Sequence, residues 1–424
     1  MEPIIGITGM AADVEPAALH WATELYLDLH HHPELSGAEE RTAARFAARL
    51  DSLGYRVTRG IGGHGVVAVL RNGPGPVVML RAELDALPVE ERTGLPYASD
   101  TPGVMHACGH DAHLACAAGA AAELAAARTD WRGTVLVVGQ PAEETLTGAA
   151  AMLADGLYRR FEPPSAVLAQ HTVPLPAGLV AHGYGPVTAG SRTLRLTLHG
   201  RGGHAATPHL AIDPVPAAAA VVLRLPGLVA QETSPAEQVV ATVGALTAGS
   251  DPGNVIPDRA TLTVTVRGYS EAALDRVTAA VQRVARGEAL ASGCPREPEI
   301  EELARSGVNH PDPALTATVR AAHRTAFGPH RVTDWPPSPA TEDFPLFGPA
   351  GLTLHGIPDI RTAYWMLGSV GPRTWAAAPG HTPAEKLPAL PTNHSPHYHP
   401  HAKLTLTTGI HALATAARAV LTSN

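Results

Sequence analysis

Residues 113–138 read HLACAAGAAAELAAARTDWRGTVLVV, an alanine-rich helical stretch followed by the strand-length apolar run Thr134–Val138. Similar apolar runs lie before the helical stretch, at Val66–Leu70 and Val77–Leu80, and after it, at Ala166–Ala169. Strands that alternate with helices are typical of a largely parallel sheet with helices packed on its faces. We therefore predict an α/β fold around this stretch.

The alternation extends towards both ends of the chain. Apolar residues recur every three or four positions over residues 39–53, which predicts an amphipathic helix that stops at Gly54. Later elements are predicted as a helix near Pro313–Phe327, a strand near Thr362–Leu367 and a final helix near Ala402–Leu421. Two proline-rich stretches are predicted to be irregular, Pro329–Pro339 and Pro372–Pro400.

Between these parts, the pattern changes at about residue 188. Thr193–Leu198 alternates apolar and polar residues, and the predicted order becomes β-α-β-β-α-β, the ferredoxin-like unit. The other elements of this unit are predicted at Pro214–Val229, Gln238–Leu246, Ala260–Val266, Glu271–Glu288 and Pro298–Leu303. We predict that residues 188–304 are a domain inserted between residues 1–187 and 305–424, which together form the first domain.

Composition fits two globular domains and limits the partners. The chain has 424 residues, more than the roughly 250–300 at which a single hydrophobic core stops growing. Its net charge of −8 argues against nucleic acid or an anionic membrane as the main partner. No uninterrupted apolar run reaches the ~18 residues of a membrane span. Met1–Met10 lacks the basic start of a secretory signal, and three cysteines cannot form a disulfide framework, so we expect a cytoplasmic protein.

The strongest chemical signal is MHACGHDAH, residues 105–113. Cys108 and His110 are too close in sequence to share one helix face, but their spacing suits a strand-end loop that binds a metal ion. Asp111 could then cap the following helix or hold a ligand histidine. A buried cysteine beside unrelated histidines would give the same pattern, so this motif alone leaves both interpretations open.

Other charged residues follow predicted strands. QPAEE, residues 140–144, comes directly after one, so one of Glu143 and Glu144 could bind a metal ion while the other acts as general base. RAELDALP, residues 81–88, also follows a predicted strand, and His171 ends one. The alternatives are a solvated acidic turn and a structural histidine.

Further candidates lie near the carboxyl end and in the inserted domain. NHSPHYH, residues 393–399, could be a ligand segment, a solvent-exposed loop or an adventitious metal site. His204 in GGHAATPH, Asn254 in NVIPD and Arg267 at a strand end have an ordinary alternative as turn residues and a surface charge. The chain carries no Gly-x-Ser-x-Gly, His-Glu-x-x-His, phosphate-loop or Gly-x-Gly-x-x-Gly motif, which excludes the enzyme classes that depend on them.

Taken together, these segments resemble the dinuclear-metal amidohydrolase and aminoacylase family. Its relevant branch holds hippurate hydrolases, N-acyl-amino-acid amidohydrolases and plant auxin-conjugate hydrolases. The resemblance runs from Leu29 to Tyr398, nearly the whole chain. The matching segments, in the family's order, are LHHHPELS, RAELDALP, MHACGHDAH, QPAEE, QHTVP, GRGGHAATPHLAIDPV, NVIPD, TEDF and NHSPHY.

The resemblance implies a role for each candidate residue. The implied ligands of two divalent ions are Cys108, His110, Glu144, His171 and His394. Glu143 is the implied general base, Asp85 the carboxylate that steadies the metal site, and His204 a donor to the oxyanion. Asn254 and Arg267 are implied to hold the substrate. Mixed Cys, His and Glu ligands admit Zn, Mn, Co or Ni.

Three departures from the family pattern concern the site. Glu83 stands where the family usually has Asp, and Tyr398-His399-Pro400-His401 replaces acidic residues. The stretch Pro372–Thr392 looks longer than typical, so His397 competes with His394 as the last ligand.

The implied reaction is hydrolysis of the amide bond of an N-acyl amino acid or a related small amide. Glu143 would take a proton from water held by the two ions and return it to the leaving amine. The inserted domain would serve as a lid or dimerisation domain, giving a homodimer. Two other classes stay open: a cysteine amidase with Cys108 as nucleophile and His110 or His106 as base, and a non-catalytic metal-binding protein on the same fold.

We predict that Cys108→Ser weakens metal binding and that excess metal restores part of the rate. A ligand contributes to metal affinity but forms no bond with the substrate, so metal can compensate for its loss. The measurement is activity of the wild type and the variant as a function of metal concentration. A covalent acyl-enzyme trapped on residue 108, or full activity after a chelator has removed all metal, would contradict this prediction.

Overall fold

The structure, a computed structural model, describes residues 16–249 and 253–422. Met1–Met10, interpreted above as lacking a secretory signal, lies outside the described residues. The described chain divides into two compact units. The first runs to Val187 and also contains His310–Pro336 and the residues from Asp343 onwards; the second contains Thr188–Asn309 and Pro337–Glu342.

The described residues form fourteen strands, numbered along the chain. They are β1 (Arg56–Ile61), β2 (Gly65–Asn72), β3 (Val77–Glu83), β4 (Gly133–Gln140), β5 (Ala166–Pro176), β6 (Val180–Gly183), β7 (Gly190–His199), β8 (Gly203–His204), β9 (Val239–Ala248), β10 (Val255–Ile256), β11 (Arg259–Gly268), β12 (Glu299–Ser306), β13 (Val332–Trp335) and β14 (Arg361–Val370).

Twelve α-helices accompany these strands in the described part of the chain. They are α1 (Pro16–His31), α2 (Glu40–Ser52), α3 (His110–Ala126), α4 (Gly148–Ala154), α5 (Leu157–Arg160), α6 (Pro214–Glu232), α7 (Glu271–Ala291), α8 (Pro313–Phe327), α9 (Leu352–His355), α10 (Pro372–Ala377), α11 (Pro383–Lys386) and α12 (Ala402–Leu421).

The first unit is built on one sheet with the strand order β1-β2-β4-β3-β5-β14-β6-β13. The central strands β4, β3, β5 and β14 pair in parallel, as do β6 and β13. The pairs β1–β2, β2–β4 and β14–β6 are antiparallel. The predicted α/β fold with a mainly parallel sheet is therefore confirmed.

The centre of this sheet is covered on both faces. Every residue of β3 and β4 is buried, as expected for strands between two helical layers. Val78 and Leu80 belong to one apolar cluster with α3 and α12, whereas Val77 and Met79 belong to another with α4. The small side chains of α3 let it lie close to α12, because a Cβ atom at Gly119 would overlap the side chain of Ile410.

The second unit has the predicted β-α-β-β-α-β order. Its four-stranded sheet is antiparallel throughout, in the order β12-β7-β11-β9. Helices α6 and α7 pack against this sheet, and Leu196, Val221, Leu262 and Val277 share its apolar core. This arrangement confirms the predicted ferredoxin-like fold. The unit continues to Asn309, which bridges to Thr188.

Several elements escaped the sequence prediction. The edge strands β1 and β13 were not predicted, nor were β6, which lies between β14 and β13, and the helix α1. The prediction that residues 329–339 and 372–400 are irregular was wrong in part, because β13 lies in the first stretch and α10 and α11 lie in the second. Both of these helices begin at a proline, a position where the missing N–H is not needed, and Thr382 caps α11 through a capping box.

Two helices, α6 and α12, are long and apolar enough to cross a membrane by length and composition. Core helices pass the same test. α12 packs against α3, α8 and the sheet of the first unit, and α6 packs against α7 and the sheet of the second. Their composition is explained by these packing contacts.

A pair of buried histidines links β6 to α8. His323 Nε2 donates to the carbonyl oxygen of Ala412 (3.0 Å), so its Nδ1 accepts from His182 Nε2 (3.0 Å) and both rings are neutral. Burial, with a contribution from neighbouring His323, lowers the pKa of His182 to about 2. Burial also lowers the pKa of His323 to about 4.

We predict that this pair makes stability fall with pH below about 6.5, the ordinary pKa of histidine. Above that pH, the neutral rings make their full contribution to the free energy of unfolding. Below it, the contribution is lost, because these histidines take up protons in the unfolded chain but stay neutral in the folded chain. The loss is about 1.4 kcal/mol per pH unit for each ring. Chemical denaturation between pH 6.5 and pH 5 should show a flatter fall for His323→Gln than for the wild type. His20→Gln, at an exposed position of α1, is the control, and an unchanged slope for His323→Gln would contradict the prediction.

Candidate metal centre

The parallel strands bring the predicted site residues to one edge of the first sheet. Asp85 lies two residues after β3, and Glu143 and Glu144 lie in the turn after β4. Carboxyl ends of neighbouring parallel strands share an edge, where α/β proteins place their ligand sites. His171 was predicted to end its strand, but β5 continues to Pro176, so its side chain projects from within the strand.

Tight packing explains the glycine in the CGH motif. Gly109 has a φ of 85°, a conformation that disfavours other residues, and precedes the first residue of α3, His110. A Cβ atom at Gly109 would also overlap the hydroxyl of Thr172. Glycine therefore allows Cys108 and His110 to approach β5 from the start of α3.

The five predicted ligands converge on one cluster. Three overlapping groups each offer ligand atoms within 4.8 Å of one another: Cys108, His110 and His171; Cys108, Glu144 and His394; and His110, Glu143 and Glu144. Cys108 Sγ lies 3.5 Å from His171 Nε2, and His394 Nε2 lies 3.4 Å from Glu144 Oε1. Such separations suit atoms that each lie about 2.0–2.3 Å from a shared ion.

The hydrogen bonds of the histidines test whether a metal ion fits. His110 Nδ1 donates to the carbonyl oxygen of Asp85 (2.9 Å), and His171 Nδ1 donates to that of Thr172 (2.9 Å). The Nε2 lone pairs of both rings are thereby left for the cluster, and His110 Nε2 is buried without a hydrogen-bond partner. A ligand histidine held through its other nitrogen is the usual arrangement in metal sites. The residues present therefore fit divalent ions.

The charges of the cluster favour a metal-binding thiolate. Burial opposes ionisation of Cys108, but His171, His110 and His394 outweigh it and hold the pKa of this thiol well below its ordinary value. Burial and the nearby thiolate raise the pKa of Glu144. The thiolate is the form of cysteine that binds metal ions.

Asp85 connects the two halves of the cluster. Its Oδ2 accepts hydrogen bonds from Ser36 Oγ (2.7 Å) and from the backbone N–H of Glu144 (2.9 Å). Its Oδ1 lies 3.4 Å from His110 Nδ1. This geometry supports the predicted positioning role, because Asp85 orients a ligand ring through its backbone carbonyl and, through its carboxylate, the turn that carries Glu143 and Glu144.

Glu39 is a positioning residue that the sequence did not reveal. Its side chain is fully buried, and its Oε1 accepts from the N–H groups of Gly37 and Ala142, both at 2.8 Å. Ala142 has a φ of 49°, an unfavourable value for a residue with a Cβ atom. Glu39 therefore helps to hold the turn in which Glu143 and Glu144 lie. Its only signal in the sequence was its place three residues after the matching LHHHPELS segment.

The unusual Glu83 takes part in a second buried network. His113 Nδ1 donates to Glu83 Oε2 (2.7 Å), while His113 Nε2 accepts from the backbone N–H of Thr172 (2.8 Å). Glu83 is also paired with buried Arg81. The longer side chain thus reaches a histidine that braces the backbone beside His171.

The positions of His394 and His397 distinguish between the two candidates for the last metal ligand. His394 directs Nε2 towards Glu144, and its backbone N–H donates to Ala107 (2.8 Å). His397 is exposed, and its Nδ1 donates to the carbonyl oxygen of Arg92 (2.8 Å). The neighbouring Asn393 donates to the carbonyl oxygens of Cys108 (3.2 Å) and Thr172 (3.0 Å), which fixes this segment against the cluster. The geometry favours His394.

The remaining predicted residues belong to the second unit, whereas the cluster belongs to the first. His204, at the end of β8, is exposed, and its Nδ1 accepts from the N–H of Ala206 (3.0 Å), so a neutral ring carries its proton on Nε2. Asn254 accepts from the N–H of Ala205 through its backbone carbonyl (2.9 Å). Arg267 donates to the carbonyl oxygen of Pro339 (3.0 Å).

The surroundings of Cys108 do not favour its role as a catalytic nucleophile that is activated by a single histidine base. Its sulfur lies in ligand-type groups with His110, His171, Glu144 and His394. His106, one proposed base, is buried and makes no hydrogen bond through either ring nitrogen. A cysteine surrounded by several donors is the arrangement of a metal site.

Comparison with known proteins agrees with this geometry. Residues 79–394 match the model of peptidase family M20/M25/M40. The N-acetylcysteine deacetylase of Bacillus subtilis is 35% identical over 333 residues, covering 76% of this chain and 83% of that protein. The IAA-amino acid hydrolase ILR1-like 2 of Arabidopsis thaliana is 32% identical over 357 residues, covering 82% and 80%.

A solved structure is also similar over nearly the whole chain. The YXEP protein of Bacillus subtilis, described as a dinuclear metal binding peptidase from the M20 family, superposes with a TM-score of 0.74 at 27% identity. The match covers 96% of this chain and 99% of that one.

We predict that His394→Ala lowers the bound metal towards one ion per chain, whereas His397→Ala leaves it unchanged. His394 is the ring that lies beside Glu144, and His397 is the matched control from the same segment. Elemental analysis of the purified, desalted variants measures the number of ions. The reverse pattern would show that the last ligand is His397.

Proposed function

The chain belongs to peptidase family M20/M25/M40, and we propose that it hydrolyses the amide bond of N-acyl amino acids or related small amides with the help of two divalent metal ions. The observation that carries this proposal is the cluster of Cys108, His110, Glu144, His171 and His394, with Glu143 beside it. Relatives named for N-acetylcysteine and for IAA-amino acids support this substrate class.

When bound, the two ions supply Lewis-acid polarisation of the amide carbonyl and of the attacking water. Glu143 is 5% exposed, and its Oε2 lies 3.9 Å from His110 Nε2, so its carboxylate borders the cluster. We assign it the proton transfer: Glu143 takes one proton from the water whose oxygen attacks the acyl carbon. The C–N bond then breaks, and Glu143 returns the proton to the leaving amine nitrogen.

The neighbours of Glu143 give it a fixed position for this transfer. Asp85 accepts a hydrogen bond from the N–H of Glu144, and Glu39 accepts one from the N–H of Ala142. These hydrogen bonds fix the turn on both sides of Glu143. A general base works best when its carboxylate is held in a fixed position relative to the proton that it removes. Glu144, by contrast, is assigned to metal binding because its Oε1 lies next to His394.

We further propose that the protein is a homodimer formed through β9. This strand is one edge of the second unit's sheet and has ten residues, none of them charged. The opposite edge, β12, carries Glu299, Glu301, Glu302 and Arg305. Charged side chains discourage pairing at an edge, whereas a long uncharged edge invites it.

His204 is the proposed donor to the oxyanion. With Nδ1 occupied by the N–H of Ala206, the exposed Nε2–H of its neutral ring is available for an outside acceptor. One such donor contributes roughly 3–4 kcal/mol to transition-state stabilisation. We propose that each His204 acts in the site of the partner subunit, while Asn254 and Arg267 help to hold the substrate. The proposed location is the cytoplasm, where Cys108 stays reduced.

The activity is tested with N-acetyl, N-benzoyl and N-indoleacetyl amino acids and with Zn, Mn, Co or Ni as the added metal. We expect release of the free amino acid from at least one of these substrates, loss of activity on chelation and recovery when metal is returned. Absence of hydrolysis across the whole panel by metal-loaded protein would contradict the proposed substrate class.

We predict that Glu143→Gln keeps both ions and lowers kcat by about 10²–10⁴-fold, the usual contribution of a general base. Glu144→Gln is the matched comparison and should lose metal. Elemental analysis and turnover are measured on the same samples. If Glu143→Gln lost metal while keeping its turnover per bound ion, the two assignments would be reversed.

We predict that mixing inactive subunits restores activity. A dimer of one Glu143→Gln chain and one His204→Ala chain would contain one site with both functional residues, if His204 acts across the interface. The two homodimers are unfolded, refolded together and assayed for turnover. No gain on mixing, with mixed dimers shown to form, would contradict the cross-subunit role; a fully active His204→Ala enzyme would exclude any catalytic role.

A further inference from the structure

A second group of metal-binding side chains lies outside the catalytic cluster, where the carboxyl end of α1 meets the loop before the CGH motif. His31, His32 and Asp100 each offer one ligand atom, and the three atoms lie within 4.8 Å of one another. His32 Nε2 is 3.7 Å from Asp100 Oδ2. Two ligands at about 2.1 Å from one ion lie roughly 3.4 Å apart in a tetrahedral site. A small adjustment would therefore let one ion bind both.

The hydrogen bonds of the two rings prepare them for metal binding. His31 Nδ1 donates to the carbonyl oxygen of Ala98 (2.6 Å), and His32 Nδ1 donates to that of Asp28 (2.8 Å). Each ring therefore keeps its Nε2 lone pair for another partner. This is the tautomer and the backbone anchoring found for ligand histidines.

The surroundings leave room for an ion from solution. The side chains of His32 and Asp100 are 36% and 47% exposed, so water can complete the coordination. The carboxylate of Asp28 is already paired with Arg41 (2.7 Å) and Arg45 (2.8 Å). Asp100 is thus the carboxylate available to this group.

We propose that His31, His32 and Asp100 form a surface site for a borderline-soft divalent cation such as Zn²⁺, separate from the catalytic cluster. Two imidazoles and one carboxylate are a donor set that such ions accept.

Binding there would tie α1 to the loop before the CGH motif. Asp100 already donates its backbone N–H to the carbonyl oxygen of His31 (2.9 Å). In the same loop, Glu91 lies 3.3 Å from His30 Nε2, and His30 Nδ1 lies 2.6 Å from Asp111 Oδ2, next to the ligand His110. An ion at the surface would thus steady the segment that leads into the catalytic site.

The test is calorimetric titration of Zn²⁺ into metal-replete, desalted protein. The wild type should bind one ion more than the His31→Gln/His32→Gln variant, or bind it at least about tenfold more tightly, since loss of even an outer partner of a metal site costs 10–100-fold. His20→Gln is the matched control, because His20 is an exposed histidine of the same helix with Glu24 3.3 Å away. Asp100→Asn, a change at an exposed carboxylate, gives a second variant whose folding is not at risk.

Limited trypsin digestion at exposed Arg92 supplies an independent readout of the loop. Zn²⁺ should slow cleavage at Arg92 several-fold in the wild type and in His20→Gln, and should have no effect in the double variant or in Asp100→Asn. Equal binding and equal protection in all four proteins would overturn the proposal.

Discussion

The structure depends on the confinement of several ionisable groups at one edge of a parallel sheet. One thiolate residue, three carboxylates and three histidines share this small region: Cys108, Asp85, Glu143, Glu144, His110, His171 and His394. Buried charges are costly unless they are paired or bind metal. A divalent ion can be coordinated by several of these groups at once, which offsets the cost of burying their charges. The cluster is therefore better explained as a metal centre than as part of the packed core.

The rest of the first unit holds this cluster in place. Arg81 contacts Glu83, Asp343 and Gln140, and Gln140 donates to Asp343 (2.7 Å). This network joins the ends of β3 and β4 to the segment before α9. Each member of the network has a charged or hydrogen-bonding partner. Burial therefore keeps these side chains in fixed positions and leaves no polar group without a partner in the network. Glu39 and Asp85 extend the same support to the turn that carries Glu143.

Sequence reasoning located most of this arrangement, and its gaps have physical causes. The helices α3, α8 and α12 and the strands β3 to β5 were predicted because each lies in an apolar or alanine-rich run of suitable length. The strands β1, β6 and β13 have only four to six residues, and α10 and α11 lie in a proline-rich stretch, so pattern alone did not reveal them. Glu39 and His113 act through hydrogen bonds to backbone N–H groups distant in sequence, Ala142 and Thr172, which no local motif reports.

The central claim is that hydrolysis requires two ions held by this one cluster. The most direct measurement is stepwise reconstitution of the metal-free protein, with the number of bound ions and the turnover of an N-acyl amino acid determined at each step. The account predicts no turnover without metal and full turnover when two ions per chain are bound at the catalytic cluster. Full turnover by the metal-free protein would contradict it.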